Sequence, residues 1–381
     1  MRVLVEGSGG AAGWPQPGCR CASCLRCQSD GSIRVRSIIV IDGLVRLGVE
    51  GATVEGAGIE GAGIEGAGVE GAGGRDAAGY RVLPLADARH QGETGGWDVT
   101  GPDGGRLLYP AGPGAVPVPP EGASAYDIAF LDLLGEPAQL GLLRKRQVIT
   151  ADTVTAVAFA DHRVSSEAEL RRRCGFWRAE LAGDGDAVTT ARSAEKRSDP
   201  SRAPWRVLVL GGARSGKSEQ AELRLAGEPD VTYVATGPGG PAGDPEWAAR
   251  VAAHRARRPA WWRTAETTNL AGALAGARGA LLVDGIGTWL AAAMDECGAW
   301  DGSADATARL AARIAGLVGA WRQTGAHVVA VSDEAGLGVV PATPAGRLFR
   351  DELGRLNQVL AAESEETELV VAGRVLPLPA G

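Results

Sequence analysis

The sequence predicts an α/β protein in two parts. One is a C-terminal parallel β-sheet with helices on both faces, organised around a phosphate-binding loop; the other is a separate N-terminal α/β region. Three observations predict this. After residue 205, short runs rich in Val and Leu alternate with segments of helical periodicity, the pattern of strands buried on both faces. One of those runs, VLVL at 207–210, leads straight into Gly211-Gly212-Ala213-Arg214-Ser215-Gly216-Lys217-Ser218, which fits G-x-x-x-x-G-K-[ST] with a strand before it and a helix after it. Ahead of it, GDGDAVTTARSAEKRSDPSRAP at 183–204 is polar and has no apolar period, so it reads as a linker. The expected boundaries are therefore 1–182, a linker at 183–205, and 206–381.

At 381 residues the chain is long enough for two ordinary domains. Its net charge of −7 argues against a protein that coats nucleic acid. No apolar run reaches membrane-spanning length. The opening MRVLVEGSGG lacks a basic segment followed by a long apolar core. A cytoplasmic protein with no membrane span and no nucleic-acid partner is the expectation.

In chain order, residues 2–5 read as a strand, followed by a glycine-rich turn at 7–13. Cys19, Cys21, Cys24 and Cys27 then fall within GCRCASCLRC at 18–27, four of the six cysteines in the chain. Thiolates at i, i+2, i+5 and i+8 can wrap one tetrahedral Zn²⁺ as soft ligands. The fourth ligand is either Cys27 or a remote histidine such as His162; the competing reading is a set of unliganded thiols. Residues 48–75 enclose a low-complexity insertion whose unit, G-A-G-[IV]-E, has a period of five. That period matches neither 3.6 nor 2, so it places the Ile and Val positions on no single face, and the glycines disfavour a helix. A flexible, solvated insertion is expected. Strands are expected at 80–85, 106–109, 126–133 and 154–160. A helix is expected at 164–181, with Ser165 or Ser166 as its N-cap and Leu170 and Trp177 on its apolar side.

MRVLVEGSGGAAGWPQPGCRCASC, YDIAFLDLLG and FADHRVSS resemble the metallo-β-lactamase-fold hydrolases of the phosphodiesterase type, in which an early cysteine cluster can hold a structural zinc. The family's H-x-H-x-D-H motif is absent, and the repeat stands in its place. YPAGPG follows the strand at 106–109, where the metal-bridging Asp is expected. With four histidines in the whole chain, a dinuclear site cannot be built. The resemblance implies an incomplete, non-catalytic metallo-β-lactamase-like α/β region.

In the second part, strands are expected at 207–210, 231–235, 280–284, 327–332 and 368–372. Helices are expected at 216–225, 245–257, 270–277, 304–321 and 346–362. Ligand groups of such a sheet cluster at the carboxyl ends of the strands. The glycines of the loop let backbone N–H groups approach phosphate oxygens, and the following helix presents its positive end to the same anion. Lys217 is expected on the terminal phosphates and the Ser218 hydroxyl on Mg²⁺. Asp284 ends an apolar strand, ALLVD, and is a second candidate Mg²⁺ ligand. In DPEWAARVAAHRARRP at 244–259, Asp244 caps the helix and Pro245 suits its first position. Arg250, His254 and Arg257/Arg258 recur at i, i+4 and i+7/i+8 and share a face. A neutral imidazole among arginines suits attack on phosphorus; the plainer reading is a solvated basic face. Trp261 and Trp262 are either hydrophobic anchors or the wall of a ligand groove. His327 reads as structural, and the 304–321 helix, with Leu310, Ile314, Leu317 and Trp321, as core or subunit interface.

GGARSGKS, YVATG, AARVAAHRARRPAWWRTAE, VDGIGTWL, SDEAGLGVVP and FRDELGRLNQVLAA resemble, in this order, the bifunctional adenosylcobinamide kinase/adenosylcobinamide-phosphate guanylyltransferases. The resemblance spans nearly all of 206–381. It implies a P-loop NTPase domain of RecA-like type acting late in adenosylcobalamin biosynthesis on two partners, adenosylcobinamide and its phosphate. It further implies ATP or GTP with Mg²⁺ in the kinase step, GTP in the transfer step, a covalent GMP on His254, and a homotrimer. It places Gly211 to Ser218, Ala235, Thr236, Gly237, Arg255, Ala256, Arg257, Arg258, Glu266 and Asp284 around the nucleotide. The reading of a different class is a GTP-binding regulatory module in which His254 is idle; a third is a phosphodiesterase housed in the first half.

Overall fold

A computed structural model describes residues 1–55, 75–190, 204–237, 249, 252 and 255–379. The chain divides into two compact units, Met1–Ser198 with Ala226–Pro229, and Asp199–Leu225 with Asp230–Gly381.

The first unit is built on two sheets. One contains β1 (Arg2–Gly7), β2 (Ile38–Ile41), β3 (Val45–Gly48), β4 (Gly51–Val54) and, returning to pair with β1, β12 (Ala187–Thr189), in the order β12-β1-β2-β3-β4 and antiparallel throughout. The other contains β5 (Arg75–Ala77), β6 (Tyr80–Asp87), β7 (Thr94–Thr100), β8 (Arg106–Pro110), β10 (Ile128–Leu131) and β11 (Val154–Val157) in the order β11-β10-β8-β7-β6-β5, with β9 (Pro117–Val118) paired to β6. Its β8, β10 and β11 run parallel, and the rest are antiparallel. Alternation decides the core. In β1, Val3 and Val5 point inward while Arg2, Leu4 and Glu6 face outward. They join Ile39, Ile41, Val45 and Leu47 of their own sheet and Val99, Leu107, Tyr109, Ile128 and Phe130 of the other in one buried cluster. Each such side chain contributes on the order of 1.5–3 kcal/mol through burial.

Among the described residues this unit has three α-helices: α1 (Ala22–Asp30), α2 (Ala138–Lys145) and α3 (Glu167–Trp177). The expected helix at 164–181 is shorter than read. Ser166 caps it by accepting from Glu169 N at 3.2 Å, and Arg178 in the left-handed conformation ends it; Leu170 and Trp177 are buried as anticipated. Two other expectations are corrected. Residues 187–189, assigned to the linker, form edge strand β12, while 191–203 lie outside the described residues. The insertion begins as strand β4, and the flexible stretch expected after it lies outside the described residues at 56–74.

The second unit is one seven-stranded sheet. Its strands are β13 (Trp205–Gly211), β14 (Val231–Ala235), β15 (Arg263–Glu266), β16 (Ala280–Asp284), β17 (His327–Asp333), β18 (Glu366–Val371) and β19 (Arg374–Leu378), in the order β15-β14-β16-β17-β13-β18-β19. All neighbours are parallel except β18 and β19, a hairpin that corrects the expected all-parallel sheet. The helices described over their whole length are α4 (Lys217–Leu225), α5 (Leu270–Ala275), α6 (Ile286–Cys297), α7 (Ala304–Gln323) and α8 (Pro344–Ala362). Successive residues of one strand serve two cores. Leu208, Leu210, Leu281, Val283, Val328 and Ala330 pack with α5 to α8, whereas Val207, Val209, Leu282, Val329 and Val331 pack with Ala221 and Leu225 of α4. This is why the strands read as continuous apolar runs. Beneath α4, Arg224 is buried and pairs with the buried Glu368 of β18 at 2.7 Å and with Glu366. Removing one partner of such a pair costs about 3–5 kcal/mol.

Among the described residues, no helix is long and apolar enough to cross a membrane.

Candidate functional site

The parallel ladders bring the carboxyl ends of six strands to one edge. Gly211 pairs with Asp333, and Val370 with Gly211 on the other side; Asp284 pairs with Ala235 and with Val331, and Ala235 pairs with Glu266. The loop from β13 to α4 opens at this edge. A side chain at Gly211 would place its Cβ 2.4 Å from Ser215 Oγ and 2.8 Å from the Val370 carbonyl, so none fits. Gly216 has φ +95°, a left-handed conformation open to glycine. Gly212 differs: a Cβ there meets nothing within 4 Å, so protein packing alone does not demand glycine. A closely approaching ligand would. Ser215 is buried, and its carbonyl accepts from Gly373 N at 2.8 Å. Ser218 lies half-buried in the first turn of α4.

Lys217 Nζ lies 2.9 Å from Asp333 Oδ1 and donates to the Gly212 carbonyl at 3.1 Å. Asp284 accepts from Tyr233 Oη–H at 2.7 Å, and burial, with Asp284 beside it, pushes the Tyr233 hydroxyl far above its ordinary range. Tyr233 therefore stays a neutral donor. The Arg258 guanidinium stacks over its ring, 3.6 Å from the centroid. Arg257 bonds Glu222 through Nε at 3.2 Å, and this bond raises its pKa further. Arg255 and Glu266 form an exposed pair at 3.1 Å, worth about 0–1 kcal/mol.

Several sequence-derived residues thus reach one edge: Gly211 to Ser218, Ala235, Glu266 and Asp284, with Arg257 and Arg258 tied to Glu222 and Tyr233. Thr236 behaves differently. It is fully buried, and its hydroxyl bonds the Gly285 carbonyl at 2.5 Å and Thr288 Oγ1 at 2.8 Å. His254 and Arg250 lie outside the described residues, as does most of the expected 245–257 helix; Ala249, Ala252 and 255–257 are helical. Trp262 is buried in the α4-side core and Trp261 packs against it, which makes both anchors. His327 begins β17, and Leu310, Leu317 and Trp321 are core. Sequence reasoning did not single out Asp333, Tyr233 or Glu222. For Asp333 a signal was present: it ends an apolar strand, HVVAVSD, just as Asp284 ends ALLVD.

A second cluster lies in the first unit. The ligand atoms of Cys19, Cys21, Cys24 and His162 all lie within 4.8 Å of one another. The side chain grouped with the three thiols is thus His162, 138 residues from Cys24 in the chain, with Cys24 Sγ and His162 Nδ1 3.7 Å apart. Cys27 is corrected out of the set: its thiol donates to the Ser32 carbonyl at 3.2 Å. The site is held from outside. Ser23 Oγ donates to the Val164 carbonyl at 2.6 Å and Arg26 Nε to the Ser165 carbonyl at 3.0 Å, clasping α1 to the segment that carries His162. Cys21 caps α1, and the Cys24 N–H on its sulfur lowers its pKa, while burial lifts the Cys24 thiol to about 11. Three thiols and an imidazole at this spacing fit tetrahedral zinc, whose sulfur ligands at about 2.3 Å stand roughly 3.8 Å apart.

Beside it, Asp132 follows β10 and is buried. Its carboxylate accepts from Gly114 N at 2.6 Å and from Leu134 N and Gly135 N at 3.3 Å, and it pairs with Arg163 at 2.7 Å.

A profile described as cobinamide kinase / cobinamide phosphate guanyltransferase matches residues 207–378. The chain is 42% identical over 181 residues to the bifunctional adenosylcobalamin biosynthesis protein CobP of Pseudomonas aeruginosa, covering 96% of that protein and 45% of this chain. It is 40% identical over 177 residues to CobU of Salmonella typhimurium, and 38% identical over the same length to CobU of Escherichia coli. Each of these also covers 96% of the relative and 44% of this chain. Through its second unit, with the phosphate loop at the carboxyl edge of the sheet, the chain belongs to the cobinamide kinase / cobinamide phosphate guanyltransferase family.

Proposed function

We propose that the chain phosphorylates adenosylcobinamide with ATP or GTP and then transfers GMP from GTP to that phosphate, in the biosynthesis of adenosylcobalamin in the cytoplasm. The observation that carries this is the phosphate loop, with Lys217 and Asp284 at one sheet edge, inside the stretch that matches the family. Lys217 and the backbone N–H groups of 211–218 hold the triphosphate and orient it. In the kinase step the acceptor hydroxyl attacks the γ-phosphorus, the bond to the bridging oxygen breaks, and the nucleoside diphosphate leaves. Ser218 and Asp284 offer hard oxygen donors suited to magnesium, which when bound offsets phosphate charge. In the second step His254 attacks the α-phosphorus of GTP and pyrophosphate leaves. An oxygen of adenosylcobinamide phosphate then displaces the imidazole from GMP. Arg257 and Arg258 supply fixed cations beside this route. The assembly is a homotrimer, which sedimentation of the full chain would test.

The first unit is read as a metallo-β-lactamase-like region without hydrolase activity that carries a structural zinc on Cys19, Cys21, Cys24 and His162. Its two facing sheets and the fully engaged Asp132 support that reading.

The deciding experiment is intact mass after incubation with GTP. Wild type gains an acid-labile adduct of GMP mass, and His254→Ala gains none. An unlabelled wild type that still binds GTP would instead make the second unit a GTP-binding regulatory module.

A further inference from the structure

The lysine of the phosphate loop already has an anionic partner. Asp333, the last residue of β17, stands opposite Gly211 in the parallel register, and the next residue donates Glu334 N–H to the Gly211 carbonyl at 3.1 Å. Its position is fixed from behind. Asn357 of α8 is buried, donates Nδ2–H to the Asp333 carbonyl at 3.0 Å, and accepts from Ser332 Oγ at 2.6 Å. At the start of α6, a Cβ on Gly287 would lie 3.1 Å from Asp333 Oδ2, so that helix flanks the carboxylate. The Asp333 side chain is nonetheless 52% exposed, while the Lys217 side chain it holds is 14% exposed. The neighbouring carboxylates have other contacts: Asp284 with Tyr233, Glu222 with Arg257, and Glu334 with the N–H of Gly336.

We propose that Asp333 is a positioning residue that attenuates phosphate affinity, standing in for the terminal phosphates on Lys217 until a nucleotide displaces it. The inference rests on the reading of 211–218 as a triphosphate cradle. An ammonium engaged by a carboxylate is not fully available to a phosphate, and the displaced carboxylate stays close to the incoming negative charge. A ligand whose phosphates reach Lys217 must therefore outcompete Asp333. A ligand without phosphates leaves the pair intact and gains nothing from the lysine. The residue thus lowers the affinity of ligands whose phosphates reach Lys217 and leaves phosphate-free ligands unaffected.

Calorimetric binding of GTP and of guanosine to the full chain tests this, with wild type, Asp333→Asn, Asp333→Ala and Asp333→Glu. In the Asn and Ala variants GTP binds roughly three- to tenfold tighter. Guanosine binding is unchanged in both, and the Glu variant returns toward wild type. Unliganded melting temperatures close to wild type establish that the variants are folded. GTP affinity that is unchanged or weaker in folded Asn and Ala variants overturns the proposal, and so does an equal gain for guanosine. A wild-type chain that fails to bind GTP overturns the cradle reading itself, and the inference with it.

Discussion

Two aspartates at the carboxyl ends of parallel strands meet opposite fates in this molecule. Asp132, after β10 of the first unit, is buried and saturated: three backbone N–H groups and Arg163 occupy its oxygens. Asp333, ending β17 of the second, is half exposed and has Lys217 as its partner. A carboxylate satisfied by backbone belongs to the architecture, because releasing it leaves buried donors unpaired. One held by a side-chain ammonium at an open edge can exchange that partner for a ligand. The comparison sets a carboxylate able to exchange its partner, in the second unit, against one built into the scaffold of the first.

The sharpest way to break the comparison is Lys217→Ala. It is expected to reduce both kinase and guanylyl transfer by at least about 10³-fold, with little change in unliganded melting. Initial rates with adenosylcobinamide and, separately, with its phosphate check this; residual transfer near wild type would move the site elsewhere. Arg163→Ala should do the reverse. It leaves the buried Asp132 carboxylate without its cationic partner, costs about 3–5 kcal/mol in denaturant unfolding of the first unit, and leaves GTP binding by the second unit unaltered.

A third test separates the cysteines. Cys24→Ala should abolish retention of zinc by the purified chain, read by elemental analysis, whereas Cys27→Ala should keep roughly one equivalent. Chelation should lower the melting of the first unit and spare GTP binding. The smallest effect concerns acid. Glu365 is held below the ordinary carboxylate range by its hydrogen bonds from Arg206, including Nε at 3.1 Å. A depressed folded-state pKa contributes stability that is present above the unfolded value and is lost as pH falls through the folded one. Glu365→Gln should therefore lower stability at neutral pH and flatten the acid limb of the stability curve, as seen by melting between pH 7 and 3.

Much of the second unit was legible because its strands carry a strong apolar signal and its loop a fixed spacing. What escaped did so for physical reasons. Helix α6 buries Ile286, Trp289, Leu290, Ala293, Met294 and Cys297 and exposes only Thr288, Asp295 and Glu296, so its polar side is thin, and Gly285 gives it no side-chain cap. Strand β15, RTAE, is a polar edge strand, and β19 contains Pro377, which suits an edge. Strand β12 sits in a polar stretch and owes its existence to pairing with β1. His162 was one of two readings for the fourth thiol partner, and its selection over Cys27 is a matter of chain closure over 138 residues that local spacing cannot decide. Asp333 was passed over because its strand offered no motif, although its terminal carboxylate matched that of Asp284.

The buried pairing of Arg224 with Glu368 has one further consequence. The helix that opens with Lys217 is riveted near its far end to a strand adjoining β13, so a grip on its first turn cannot be relieved by sliding the helix. Occupancy of the cradle is thereby coupled to cooperative unfolding of the sheet. Nucleotide should register as slowed amide exchange along β13 and β18, deep in the layer and remote from the phosphates, as well as in the loop that touches them.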